Sequence, residues 1–166
     1  MQKIILTLAV VLITSLAFSQ NRLYVGTSQL NLGVGLSTSG IPVYIGFDHG
    51  ITRNITLGAE ASFRAYRENW HDNYYNHNII GISGNANYHF NSLLGISPRW
   101  DLYAGPNLGF YIWSSPDGYV GDRSSGLGFG GQIGTRYYFS NRAGINLEFG
   151  GGNAFSGGKL GLTFRL

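Results

Sequence analysis

The sequence predicts an all-β chain: an eight-stranded antiparallel up-and-down transmembrane β-barrel. Three observations predict it. After residue 20, apolar residues recur every second position in eight separate stretches, and no segment keeps a 3.6-residue period over three helical turns. The alternate positions are mostly Gly, Asn, Ser, Thr and Tyr rather than Lys and Glu. Charged residues make up only 11% of the 166, beside 26 Gly, 10 Phe, 11 Tyr and 3 Trp, whereas a soluble domain carries about 25% charge.

The first twenty residues stand apart. Met1-Gln2-Lys3 is a short basic start, Ile4 to Phe18 is almost wholly apolar, and Ala17-Phe18-Ser19 puts small residues where a signal peptidase reads. The apolar run is too short for a membrane-spanning helix, which needs about twenty residues. Residues 1–19 are therefore expected to be a cleaved signal peptide, and 20–166 one barrel domain. With no cysteine, the chain has neither a lipid-attachment site nor a disulfide. Without Lys3, ten basic residues face eight acidic ones, and none of the bases form a run. That excludes a nucleic-acid binder.

The strands follow in order. Residues 23–36 place Leu30, Leu32, Val34 and Leu36 on one face. Residues 42–51 place Val43, Ile45, Phe47 and Ile51 there, against Tyr44, Gly46 and Asp48. The cleanest alternation is 54–66, with Leu57, Ala59, Ala61, Phe63 and Ala65 opposing Gly58, Glu60, Ser62, Arg64 and Tyr66. Residues 78–90 give Ile80, Ile82, Ala86, Tyr88 and Phe90 against Ser83, Asn85, Asn87 and His89. In 99–113 the apolar face is Trp100, Leu102, Ala104, Leu108, Phe110 and Ile112; in 126–139 it is Leu127, Phe129, Ile133, Tyr137 and Phe139. The last two, 143–151 and 159–166, alternate Ile145, Leu147 and Phe149 with Asn146 and Glu148, and Leu160, Leu162, Phe164 and Leu166 with Lys159, Thr163 and Arg165.

Connections alternate as well. Ile51–Asn54 and Ser140–Arg142 are tight, while Arg67–His77 and Ser114–Ser125 are long and polar. The outer connections near Ser37–Gly40 and Asn153–Gly158 are short, and Asn91–Pro98 is longer than an inner turn requires. Short inner turns with longer outer loops are the habit of membrane barrels.

Two architectures share this alternation with opposite senses. A soluble barrel or sandwich turns its apolar face inward, and a membrane barrel turns it to lipid. A polar face of small uncharged groups suits a narrow interior better than a wetted surface. Its charges also balance: Asp48, Glu60, Asp101 and Glu148 against Arg64, Arg136, Lys159 and Arg165. Enclosed charges must pair, because removing one partner of a buried pair costs about 3–5 kcal/mol. Outward aromatics near the strand ends would form two interfacial girdles, with Phe47, Tyr88, Phe90, Trp100, Tyr137, Phe139 and Phe164 at one and Phe63, Phe110, Phe129 and Phe149 at the other.

In pattern and strand count the mature chain resembles small outer-membrane barrels of the OmpA/OmpX type, in the form common among Bacteroidetes. The most specific stretch is Lys159 to Leu166, where Lys159, Gly161, Phe164 and Leu166 are similar to the C-terminal assembly signal of such barrels. Many members end in Phe, whereas here Phe164 is third from last. The resemblance implies outer-membrane localisation after export, contact with outer-membrane lipid, and insertion by the barrel-assembly machinery. A monomer is expected.

Chemical motifs are few. Gly126, Gly128 and Gly131 satisfy G-x-G-x-x-G, but a strand rather than a helix follows, so no dinucleotide site is expected. Asn54-Ile55-Thr56 is a formal glycosylation sequon within an inner turn. His71, Asp72 and His77 share a loop and read as solvated, so no metal is expected. His77 is the one histidine near the outer rim of a strand, and its neighbours Asn78 and Ile79 supply no serine; His89 has Ser92 nearby but at the inner end. No catalytic residue and no cofactor are expected. The predicted function is a non-enzymatic barrel with a filled lumen that displays its outer loops, with Trp70, Tyr74, Tyr75, Trp113 and Tyr119 as candidate contacts for an unknown surface ligand. The alternative is a lipid-modifying enzyme or a narrow pore on the same scaffold.

Overall fold

The structure is a computed structural model that describes residues 25–37, 40–70, 73–116, 125–152 and 156–166, without the side chains of 68–70 and 73. The expected signal peptide, His71, Asp72 and Tyr119 lie outside the described residues. Eight strands run in order: β1 Ser28–Ser37, β2 Val43–Gly50, β3 Ile55–Trp70, β4 Asn73–His89, β5 Trp100–Ser114, β6 Gly126–Tyr138, β7 Ala143–Gly152 and β8 Gly157–Arg165. Each pairs antiparallel with the next, and β8 pairs with β1, for example Leu32 with Leu162, so the sheet closes on itself. Closure leaves no edge strand around the barrel wall, the condition for β-structure in lipid.

Side-chain burial runs opposite to that of a soluble protein. Among the described residues the buried apolar side chains are Tyr44, Ile79, Tyr103 and Tyr138, while fifteen polar or charged ones are buried. Large aliphatic and aromatic side chains point out of the wall; Leu108 is 62% exposed and Phe129 66%. In water such a surface would forfeit about 25 cal/mol per Å² of apolar area. The polar interior and apolar exterior together require lipid outside. The all-β, closed eight-stranded barrel expected from the sequence is the fold observed.

The end bearing the β2–β3, β4–β5 and β6–β7 connections is termed the turn end, and the opposite end the loop end. At the turn end the outward rings Tyr88 and Phe90 meet edge to face at 5.1 Å, and Trp100 packs on Tyr137 at 4.9 Å. Within β5, Pro106 has no N–H to give, and the β4–β5 ladder skips from Asn85–Asn107 to Tyr88–Ala104.

Two expectations are corrected. Arg67–His77 is not a long loop: β3 and β4 stay paired as far as Trp70 and Asn73. Their pairing with β2 stops at Val43–Phe63 and with β5 at Asn78–Ser114, so the hairpin rises past both neighbours as a two-stranded ribbon. Its polarity marks chain beyond the bilayer, not chain without a strand, and cross-strand contacts such as Arg67 Nε donating to Asn76 Oδ1 at 3.1 Å support it. The Asn91–Pro98 turn, in turn, contains a short helix, α1, Asn91–Leu94, closed by Gly95 in the left-handed region at φ 61°.

Candidate functional site

The lumen is the place where the chain concentrates its polar chemistry, and strand alternation puts it there. Inward positions of β2, β4, β5 and β6 converge near the turn end. The Arg136 guanidinium donates to Asp48 Oδ2 at 2.7 Å and to Asp101 Oδ2 at 3.0 Å. The Asp48 carboxylate also accepts from Asn31 at 2.9 Å and Gln29 at 3.2 Å. Tyr138 Oη donates to Gln29 Oε1 at 2.8 Å, and the Arg165 guanidinium lies 3.6 Å over the Tyr138 ring. Arg136 itself lies 4.1 Å over Tyr103. Arg136, a residue 2% exposed, is thus held by two carboxylates and an aromatic face.

Higher in the lumen, Lys159 Nζ reaches Glu60 Oε1 at 2.7 Å and Glu148 Oε1 at 3.1 Å. Tyr103 Oη donates to Glu148 Oε2 at 2.9 Å, and Asn146 Nδ2 donates to Tyr44 Oη at 2.9 Å. Two bases are each shared by two acids. Glycines make room for the rings: a Cβ on Gly134 would fall on the Tyr103 ring, and one on Gly161 would crowd Tyr44 Oη. Above this layer Arg64 donates to Ser37 Oγ at 3.1 Å and stacks 5.8 Å from the Tyr111 ring. Among the described residues, cavities of about 30 Å³ and 10 Å³ remain between these side chains.

All eight charges named from the sequence are inward, and Tyr103, beneath Arg136 and donating to Glu148, links the two bridged groups. Arg136 gathers Asp48 and Asp101, while Lys159 gathers Glu60 and Glu148; Arg64 and Arg165 pack on rings. Sequence reasoning set His89 and Tyr103 inward without assigning them partners, and it left Gln29 and Tyr138 unnamed. Alternation alone places them inward, yet only the register shows that they meet the charged pairs.

His89 completes a hydroxyl–imidazole–carboxylate chain. Thr56 Oγ1 lies 3.0 Å from His89 Nε2, and His89 Nδ1 lies 2.7 Å from Asp101 Oδ1. Thr56 is 1% exposed, and its hydroxyl lies outside the linings of the two cavities described above. Ser92, the serine near His89 in sequence, instead donates to Asn54 Oδ1 at 2.7 Å.

At the loop end, His77 is not a solvated loop histidine. It is fully buried in β4, stacked on Tyr66 at 6.2 Å and edge-on to Trp113 at 6.1 Å. Its Nδ1 lies 2.9 Å from Ser115 Oγ, a serine supplied across the β4–β5 register from 38 residues away. The expectation that His77 has no serine beside it is therefore corrected. Of the candidate contact residues, Tyr74 is 70% exposed, Tyr75 and Trp113 are half-buried, and all three lie on strands rather than loops. Trp70 ends β3. Of the expected assembly signal, Lys159 points into the lumen, Gly161 faces Tyr44, and Phe164 and Leu166 lie on the outer side of the strand that closes the barrel.

Comparison with known proteins agrees with this geometry. OprG of Pseudomonas aeruginosa superposes with a TM-score of 0.71 at 9% identity, over 90% of this chain and 99% of that one. Neisserial surface protein A gives 0.59 at 14% identity, over 84% and 95%. Ail, the attachment invasion locus protein of Yersinia pestis, in complex with the heparin analogue sucrose octasulfate, gives 0.54 at 12% identity, over 86% and 99%. At these identities the likeness is one of fold. No curated protein matches the sequence. The sequence pattern of the outer membrane protein beta-barrel domain matches residues 5–164, nearly the whole length. The chain belongs to the outer membrane protein beta-barrel domain family, and its barrel is one of the small OmpA/OmpX type.

Proposed function

We propose that the protein is a non-enzymatic outer-membrane barrel with a side-chain-filled lumen, displaying its loop end for surface contact or envelope integrity. The turn end faces the periplasm, and the β3–β4 ribbon and the β5–β6 connection face outward. Residues 1–19 direct export and are then cleaved, and insertion depends on the Lys159–Leu166 signal read by the assembly machinery. The observation that carries the filled lumen is the pair of bridged clusters, Arg136 between Asp48 and Asp101 and Lys159 between Glu60 and Glu148. The cavities beside them, of about 30 Å³ and 10 Å³, have room for a few ordered waters, since about 10–15 Å³ of such space holds one. Charged groups bridged at 2.7–3.1 Å leave little room for a hydrated ion, which supports the filled-lumen reading. The ribbon's tyrosines support a contact role, since rigid aromatics bind at low entropic cost. A barrel of the same fold, Ail, binds a heparin analogue. Planar-bilayer recording tests the reading: no steady single-channel conductance is expected, and sizeable steady steps would refute it.

One observation favours a second reading. The His77–Ser115 contact at 2.9 Å, near the loop-end rim, has the hydroxyl–imidazole spacing of an acyl-transfer pair. Lipid A mass spectrometry from cells with and without the protein decides it. An acyl chain lost only when Ser115 is intact would establish the enzyme.

A further inference from the structure

Charge is divided along the barrel axis. Four acids and four bases lie inside the lumen, as described above. Every other acid of the chain, Glu68, Asp72, Asp117 and Asp122, belongs by chain position to the β3–β4 hairpin or the β5–β6 connection. The connections at the turn end contain no acid. Each carries one arginine instead: Arg53 between β2 and β3, Arg99 between β4 and β5, and Arg142 between β6 and β7. Arg53 and Arg142 are exposed, and Arg99 is half-buried.

The same rim continues the apolar wall. Helix α1 presents Leu93, 72% exposed, and Leu94, 55% exposed, directly after Phe90 of the outward aromatic belt. The helix is fastened in place. Asn91 donates through its side chain to the Trp100 carbonyl and accepts from Leu102 N at 3.0 Å, while Ser92 bonds Asn54 of the adjoining turn. Leu93 and Leu94 are thus held out by design of the turn, not left loose.

We propose that the turn-end rim is a docking surface for anionic phospholipid headgroups. Arg53, Arg99 and Arg142 meet the phosphates, and Leu93 and Leu94 enter the boundary between headgroups and acyl chains. Charge complementarity and continuity with the lipid-facing belt both point to this occupant. Guanidinium groups match phosphate geometry, and exposed leucines beside a ring belt gain most at the interfacial depth. No acidic side chain stands in the turn-end connections to oppose an anion there.

The test uses Trp100, which sits beside Arg99, as an internal probe. The W70F/W113F variant leaves it as the sole tryptophan of the three. The protein is refolded into phosphatidylcholine vesicles containing equal small fractions of either brominated phosphatidylglycerol or brominated phosphatidylcholine. At low salt the brominated anionic lipid is expected to quench Trp100 about two- to five-fold more effectively, the scale of basic residues at an anionic surface. The preference is expected to vanish in R53Q/R99Q/R142Q and in about 1 M salt, where screening acts within about 3 Å. Should the triple variant fail to fold, the salt titration of the parent decides alone. Equal quenching by the two lipids, or a preference that survives salt, would overturn the proposal. So would quenching only by water-soluble acrylamide, which would place the rim in water and leave it to an acidic protein partner.

Discussion

Replacing Arg136 by Ala is expected to be among the most damaging single changes in the barrel. Its side chain is 3% exposed and spans two carboxylates, Asp48 on β2 and Asp101 on β5. Without it, Asp48 keeps only the amides of Gln29 and Asn31, and Asp101 keeps His89. Two carboxylates then face one another in a narrow interior with no arginine between them. Breaking such a buried pair costs about 3–5 kcal/mol, and the ring contact with Tyr103 adds to the loss. With a urea slope of about 2 kcal/mol per M, the unfolding midpoint in micelles or vesicles should fall by about 2 M. The control is Arg123→Ala, in the β5–β6 connection, expected within about 0.5 kcal/mol of the parent. A second variant separates charge from volume: Arg136→Met combined with Asp48→Asn and Asp101→Asn should recover much of the loss, because no charge is left unpaired. Equal midpoints for Arg136→Ala and Arg123→Ala would refute the assignment of Arg136 to a buried lumen.

Further predictions test the other layers. Lys159→Met should destabilise by a similar 3–5 kcal/mol or so, and adding Glu60→Gln and Glu148→Gln should restore most of it, read by urea midpoints. Gly134→Val puts side-chain atoms where the Tyr103 ring lies and should cost about 1–3 kcal/mol by overpacking, visible as a lower melting temperature of the heat-modifiable band. Leu108→Arg, at an outward position 62% exposed, should cost about 2–4 kcal/mol in vesicles if that position sits near the bilayer midplane, and much less in loosely packed micelles.

The strand count, closure and facing were legible because the period-two pattern is long and the two faces differ in kind. At Leu57, Ala59, Ala61 and Phe63, for instance, an apolar run alternates with Gly58, Glu60 and Ser62, and the structure keeps that facing. Polarity misled where it coincided with strand. Residues 67–77 look like a loop because Asn, His and Tyr suit water, yet their alternation continues and Tyr66 pairs with His77 across the ribbon. The charges could be assigned to one face but not to partners. Which carboxylates share Arg136 is set by strand stagger, and stagger follows from turn geometry that no single residue announces. Ser115 beside His77 was hidden for the same reason, being brought there only by the β4–β5 register. The helix in the Asn91–Pro98 turn had one signal, unusual length, and Gly95 was the mark of its end.

Lipid facing the apolar half of every strand is the central claim, and the absence of native cysteine makes it directly measurable. Spin labels placed singly along β3 in vesicles would be scanned for collision with oxygen, which partitions into lipid, and with a water-soluble nickel chelate. Labels at Leu57, Ala59, Ala61 and Phe63 should be oxygen-accessible and shielded from nickel, alternating with immobilised labels at Glu60 and Ser62. Outward positions buried from both reagents, as in a protein interior, or open to nickel, as on a wetted surface, would contradict it.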